Sequence, residues 1–170
     1  AIDKANEELF ARVFEEMAEI DFVGSSVEEA LQFALELAVK RIPSECGWLL
    51  LADMNRRDLY VATATGPLAG EVIKYRLPMG RGIAGFCAVN NMSLTLSDVE
   101  RDPRFQLLLS RAVGLHVLSV ACSPITHEGR VYGAFQLSNH QRSVEYSSGE
   151  LDVLNYVASI FARGDTDEAD

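Results

Sequence analysis

Residues 80–85, Gly80-Arg81-Gly82-Ile83-Ala84-Gly85, spell a literal GxGxxG between an extended-looking run and a helical one. In a dinucleotide fold that spacing lets backbone approach a pyrophosphate, with an acid further along the chain for the ribose. Asp102 stands 20 residues beyond Gly82, near where such an acid would sit. The chemistry requires a parallel βαβ unit, and the context argues against one. The preceding run alternates apolar and polar residues, Pro78 interrupts its end, and the strands that follow read as hairpins. The glycines therefore read as a tight strand-to-helix turn. Unpaired N–H groups of Ile83, Ala84 and Gly85 at the helix start make a weak site for an anion or a carbonyl oxygen, with water as the ordinary alternative.

Other reactive side chains are scattered. Cys46, Cys87 and Cys122 form no CxxC pair, and their odd number points to a reducing, cytoplasmic setting. Free cysteine packs as a small apolar residue, so Cys87 and Cys122 read as core groups before nucleophiles. His116, His127 and His140 make no HExxH or HxH cluster, and no metal or cofactor is assigned. Neither GxSxG nor a P-loop occurs. His116, just before a strand, is placed to line a cleft, although a satisfied surface or core histidine is the commoner use.

These residues are positioned by an α+β arrangement. Apolar residues Leu9, Phe10, Val13, Phe14 and Met17 form a helical stripe over residues 2–20 with an acidic back. Ser25 and Glu28 suit a capping box opening a second helix, which Pro43 ends. Residues 47–52 and 59–65 form a hairpin around 55–58, and Glu71–Leu77 alternates as a half-buried strand. A glycine-bounded helix over 82–89, a short strand at 93–96 and a short helix over 103–111 follow. Residues 117–126 and 130–138 make a second hairpin, and Ser147 and Glu150 cap a closing helix. Hairpins imply a central antiparallel sheet.

A chain of 170 residues is one domain. Its formal charge of −10 argues against nucleic acid as a general partner, since phosphate contacts need a basic footprint. No apolar run is long enough to span a membrane, and the first residues do not read as a signal peptide. The acid is concentrated at the ends: residues 1–36 hold ten acids against two bases, and residues 165–170 hold four acids. Between Lys74 and Arg111 six bases face three acids, a mildly basic middle that fits either a solvated face or an anionic ligand. The chain opens on Ala, as an excised piece of something larger would.

Residues 80–85, then Leu94-Thr95-Leu96-Ser97-Asp98-Val99, then Asp102-Pro103-Arg104-Phe105, resemble the central signature of GAF domains. Ser119–Ile125 and Gly129–Asn139 are similar to that family's late paired strands, and Tyr146–Glu150 with its helix also fits; the resemblance covers about residues 25–162. It implies a sensory module with a central antiparallel sheet, helices packed on one face and a ligand cleft on the other. The departures narrow the ligand. Where cyclic-nucleotide-binding members carry an Asn-Lys…Phe…Asp-Glu motif, this chain has Asn139, His140, Tyr146, Glu150 and Leu151, which argues against a cyclic nucleotide. No cysteine lies near Arg104–His116 for a covalent bilin. The free methionine sulfoxide reductases of the family have a cysteine in the glycine turn, where this chain has Ala84, with Cys87 three residues late.

The resemblance gives four expectations. Ile83, Ala84, Asp98, Phe105, Leu108, His116 and Ser119 surround one small-molecule cavity. A His140–Glu150 pair replaces the motif's Lys–Asp lock, in competition with Glu150 as the capping partner of Ser147. Residues 1–22 are a connector helix that pairs in a homodimer through the terminal helices, 23–163 the GAF domain, and 164–170 an acidic tail or linker. The function is non-catalytic regulation, with a covalently linked output domain. Its alternatives are a cysteine enzyme acting through Cys87 or Cys122 and a structural dimerisation module with an empty cleft.

Overall fold

The run Cys46–Ala52 is apolar at nearly every position, so it needs cover on both faces and belongs in the middle of a sheet. A computed structural model, which describes residues 27–73, 75–102 and 108–169, places it there. In chain order the elements are α1 (Val27–Arg41), β1 (Cys46–Asp53), β2 (Asp58–Thr65), α2 (Ala69–Val72), β3 (Arg76–Pro78), α3 (Gly82–Asn90), β4 (Leu94–Leu96), a 3₁₀ turn (Val99–Arg101), α4 (Leu108–Val113), β5 (Ser119–His127), β6 (Arg130–Asn139) and α5 (Ser148–Ala169). The six strands form one sheet in the order β3-β2-β1-β6-β5-β4, and every neighbouring pair is antiparallel. The fold is α+β, as the hairpins require, and the sheet offers the glycine turn no parallel βαβ unit.

Alternation along β1 and β6 divides the interior into two cores. Leu49, Phe135 and Leu137 face one side, where α1 brings Leu31, Leu35 and Ile42 and α5 brings Val153, Leu154 and Val157. Trp48, Leu50 and Ala134 face the other side, with Leu59, Leu77, Ile83, Cys87 and Val120. The first core is roofed by two long helices. The second is roofed by the short elements between β2 and β5, and it is the side that has room for a cleft.

Two bulges keep the central ladder aligned, one where β2 shifts opposite Leu49/Leu50 and one where β6 shifts opposite Ile125/Thr126. Beside the second, Gly133 lies against β1 so closely that a Cβ would stand 1.9 Å from the Leu50 carbonyl oxygen. Only glycine permits that approach. At the far edge, Arg76 of β3 reaches Asp58 (2.7 Å) and Asp53 (2.6 Å) and lies over the Tyr60 ring at 5.2 Å. The guanidinium holds the Asp58 carboxyl below its ordinary range. This fork closes the β1–β2 hairpin against a three-residue edge strand.

The expected strand Glu71–Leu77 is corrected. The chain leaves β2 through Leu68 in the left-handed region (φ 61°), turns once as α2 and buries Val72, and only Arg76–Pro78 joins the sheet. Alternation over a few residues suits a strand, yet here it is shared between a helical turn and a short edge. The expected helix over 103–111 begins outside the described residues and is seen as α4. The stripe of residues 2–20 and Ser25 of the Ser25–Glu28 box also lie outside them. At the other end the helix α5 continues through residues 164–169, into the stretch expected as a tail.

A cleft at the start of α3

The glycine turn brings the end of β3 against the first turn of α3. Gly80 N–H donates to the Gly85 carbonyl (3.2 Å) and Arg81 N–H to that of Pro78 (3.1 Å). Gly80 and Gly82 hold positive φ (83° and 68°), and a Cβ on Gly85 would meet the Pro78 oxygen at 3.0 Å. Arg81, the residue that begins α3, makes no side-chain cap. The first-turn N–H groups of α3 thus have no side chain of Arg81 across them.

Beside this turn is a narrow cleft. Leu77, Gly82 and Ile83 form one wall, Leu108 and Ser110 of α4 the other, and Gln136 of β6 lies between. Its volume is about 10 Å³, room for about one water, so the cleft is closed in this conformation. Gln136 is only 5% exposed, and its side-chain amide has no hydrogen-bond partner among the described residues. Every side chain named on the walls is uncharged.

Of the seven residues expected around one cavity, the structure brings Ile83 and Leu108 to this cleft. Ala84 is fully buried beside them in the same core. Ser119 is buried, and its hydroxyl accepts the Val144 N–H (3.1 Å), which ties the start of β5 to the loop after β6. Asp98 and His116 are exposed, paired with Arg101 (3.3 Å) and Glu100 (2.9 Å). Phe105 lies outside the described residues. Gln136 and Ser110 were not among the expected residues. The available signal was parity: Gln136 shares the inward phase of β6 with Ala134 and Ser138.

The motif remnant forms a network at the other end of β6. The Asn139 amide donates to the Tyr146 hydroxyl (2.8 Å), which also meets Ser44 Oγ (2.9 Å), and Glu45 N–H donates to Asn139 Oδ1 (3.1 Å). The expected His140–Glu150 lock is corrected. His140 Nδ1 is 2.7 Å from Glu45, whose carboxylate also accepts the Gln141 N–H at 3.1 Å. Glu150 accepts the Ser147 N–H (2.9 Å) while its own N–H donates to Ser147 Oγ (3.0 Å), a completed capping box. The register decides the partner. Cys46 pairs with Ser138, which sets Glu45 beside the residues that follow β6.

The cysteines are poorly placed for nucleophilic chemistry. All three are buried. Contact with Cys87 and burial push the Cys122 thiol well up, and burial pushes Cys46 up. Cys46 Sγ lies 3.9 Å from His140 Nδ1, the same nitrogen that faces Glu45, so no Cys–His–Glu relay through both ring nitrogens exists. Among the described residues no group of three metal-ligating side chains occurs, and no helix is long and apolar enough to cross a membrane. A second hollow, of about 190 Å³, lies between β5 and α5. Its polar groups bond to one another: Ser123 Oγ donates to Asn155 Oδ1 (2.6 Å) and Asn155 Nδ2 to Ser93 Oγ (3.2 Å).

Residues 24–164 match the family model described as GAF domain. The chain is similar to the dual 3′,5′-cyclic-AMP and -GMP phosphodiesterase 11A of Takifugu rubripes, 31% identical over 97 residues. That match takes 55% of this chain and 10% of the relative, so the chain spans about a tenth of the curated protein it matches. Among solved structures, the GAF domain of a phosphoenolpyruvate-protein phosphotransferase from Coxiella burnetii superposes with a TM-score of 0.82 at 16% identity, covering 96% of this chain and 94% of that one. The free methionine-R-sulfoxide reductase of Neisseria meningitidis, solved with its substrate, gives 0.75 at 20% identity, covering 96% and 91%. Likeness at these identities establishes the fold.

Burial pushes the Tyr146 hydroxyl up to about 12, from an ordinary 10, which gives the network a signature at alkaline pH. Between those values the unfolded chain releases the proton and the folded chain keeps it. The stabilisation is therefore full below about pH 10 and falls by on the order of 2–3 kcal/mol as pH rises to about 12. Urea unfolding at intervals across that window should show the decline, and Tyr146→Phe should reduce its slope while lowering neutral-pH stability by about 1 kcal/mol. An unchanged slope in the variant would contradict the burial of this hydroxyl.

Proposed function

The chain belongs to the GAF domain family, and on that premise we propose that it is a non-catalytic sensory domain that binds a small molecule in the cleft at the start of α3. The observation that supports this reading is Gln136, whose side chain lines that cleft and makes no hydrogen bond to a described residue. An amide that faces a cleft with no partner among the described residues suits a site whose partner comes from outside. The domain serves a larger signalling protein. Its relatives include a phosphodiesterase, a chemotaxis protein and a GAF domain/HD domain protein, so a linked output domain is the natural reader of the bound state.

A reductase reading has the fold of two methionine sulfoxide reductases behind it. It is disfavoured by the chemistry of this chain, since a thiolate nucleophile needs access and a lowered pKa and Cys87 and Cys122 are fully buried. The module with an empty cleft is favoured by one observation, the closed volume of about 10 Å³. Thermal unfolding against a metabolite library separates the two. A ligand at 100 times its Kd adds about 2.7 kcal/mol, which for a domain of this size raises Tm by several degrees. Leu108→Trp, which fills the cleft, should abolish the rise. A library that leaves the wild-type Tm unmoved, or a compound that raises both proteins equally, would contradict cleft binding.

We also propose a homodimer through the terminal helices. Phe33 and Leu37 of α1 line a shallow hollow of about 160 Å³ with Glu36 and Lys40, which suits another helix. The apolar stripe of residues 2–20 is the matching surface. Sedimentation of the intact chain should give a dimer and a chain lacking residues 1–21 a monomer; a monomer for both ends the proposal.

A further inference from the structure

Next to Gln136 in the sheet stands a polar group without a partner. Trp48 is 1% exposed, and its indole Nε1–H is the single fully buried side-chain polar atom without a partner among the described residues. Trp48 lies directly opposite Gln136 in the β1–β6 ladder, so the two side chains stand on the same face as close cross-strand neighbours. On the other side of Gln136 its register partner is Cys122, whose thiol is a weak hydrogen-bonding group. The cleft thus offers the Gln136 carboxamide, with the Trp48 indole N–H as its cross-strand neighbour, the Ser110 hydroxyl and the start of α3, which no Arg81 side chain caps.

We infer that the ligand of this cleft is a small uncharged molecule that presents a carbonyl oxygen to Trp48 and Gln136. The inference rests on the proposed reading of the cleft as a binding site. Donors outnumber acceptors on the floor: the indole has only an N–H, and the carboxamide has two N–H bonds and one oxygen. If the amide oxygen swings to the indole N–H, the amide N–H bonds are left for the ligand, so an acceptor is demanded in either rotamer. Charge sets the other half of the class. None of the described residues lining the cleft is Lys, Arg, His, Asp or Glu. Among these residues a carboxylate would lose its water without gaining a cation, and an ammonium would face donors. Leu77, Ile83 and Leu108 supply apolar walls for the body of the molecule. Amides, lactams and ring carbonyls carry this combination.

The chain holds one tryptophan, so its indole N–H gives one resonance that needs no assignment by mutation. The intact chain, ¹⁵N-labelled, is titrated with acetamide, benzamide and nicotinamide and with the matched acids acetate, benzoate and nicotinate, at the millimolar concentrations fragments require. The readouts are the indole resonance and the backbone resonances of Ile83 and Leu108. The expected result is movement of all three by at least one amide, with affinity about tenfold or more above that of its acid. Gln136→Leu should weaken that response at least about tenfold; Gln136→Met serves if the first variant does not fold. An acid that binds as tightly as its amide overturns the uncharged class and leaves cleft binding standing. Movement at Ile83 and Leu108 with a stationary indole overturns the role of Trp48. Silence of all three resonances toward all six compounds overturns the reading of the cleft itself together with the inference.

Discussion

The register between β1 and β6 is the constraint on which the rest of this domain depends. Both strands are buried on both faces, so a slip of one residue would turn each core outward. Leu49, Phe135 and Leu137 would leave the helical side, and Trp48 and Gln136 would leave the cleft side. Gly133 helps to fix the alignment, because its position against the Leu50 carbonyl accepts no side chain. The same register sets Glu45 beside His140 at one end and Trp48 beside Gln136 in the middle. One ladder therefore determines both the packing of the core and the neighbours of its polar groups.

The two faces of the sheet are built differently, and the difference has a functional reading. Long helices cover one face with a continuous apolar contact. The other face is covered by pieces: a single turn of α2, the nine residues of α3, and α4. Short helices have little stability of their own and depend on what they pack against. Leu109 is the deeply buried apolar anchor of α4, Leu108 is half-buried, and Gly114 follows with φ 78°. A wall of that kind can move while the floor stays in place.

Much of this was legible in the sequence, for reasons that differ by element. The hairpins, the glycine turn and the Ser147–Glu150 box are local, and local chemistry specifies them. The sheet class followed from the hairpins. The strand expected over Glu71–Leu77 failed because period-two alternation in a short segment does not separate an edge strand from a turn of helix followed by one. The partner of His140 was hidden because Glu45 is 95 residues away and is brought close only by pairing across the sheet. Asp98 and His116 were drawn into the expected cavity by the family pattern, but each has an exposed partner of its own. Gln136 was overlooked since a lone amide in an apolar strand looks like tolerated polarity. Only the register shows that it has a tryptophan for a neighbour.

A fixed floor and a movable wall are the centre of this account, and native-state amide hydrogen exchange on the intact chain tests them most directly. The amides of Trp48, Leu50, Phe135 and Leu137 should exchange only through global unfolding, whereas those of the last turn of α4 should exchange through a local opening of lower free energy. Protection in α4 equal to that of the β1–β6 ladder, or local opening of the ladder itself, would contradict the account.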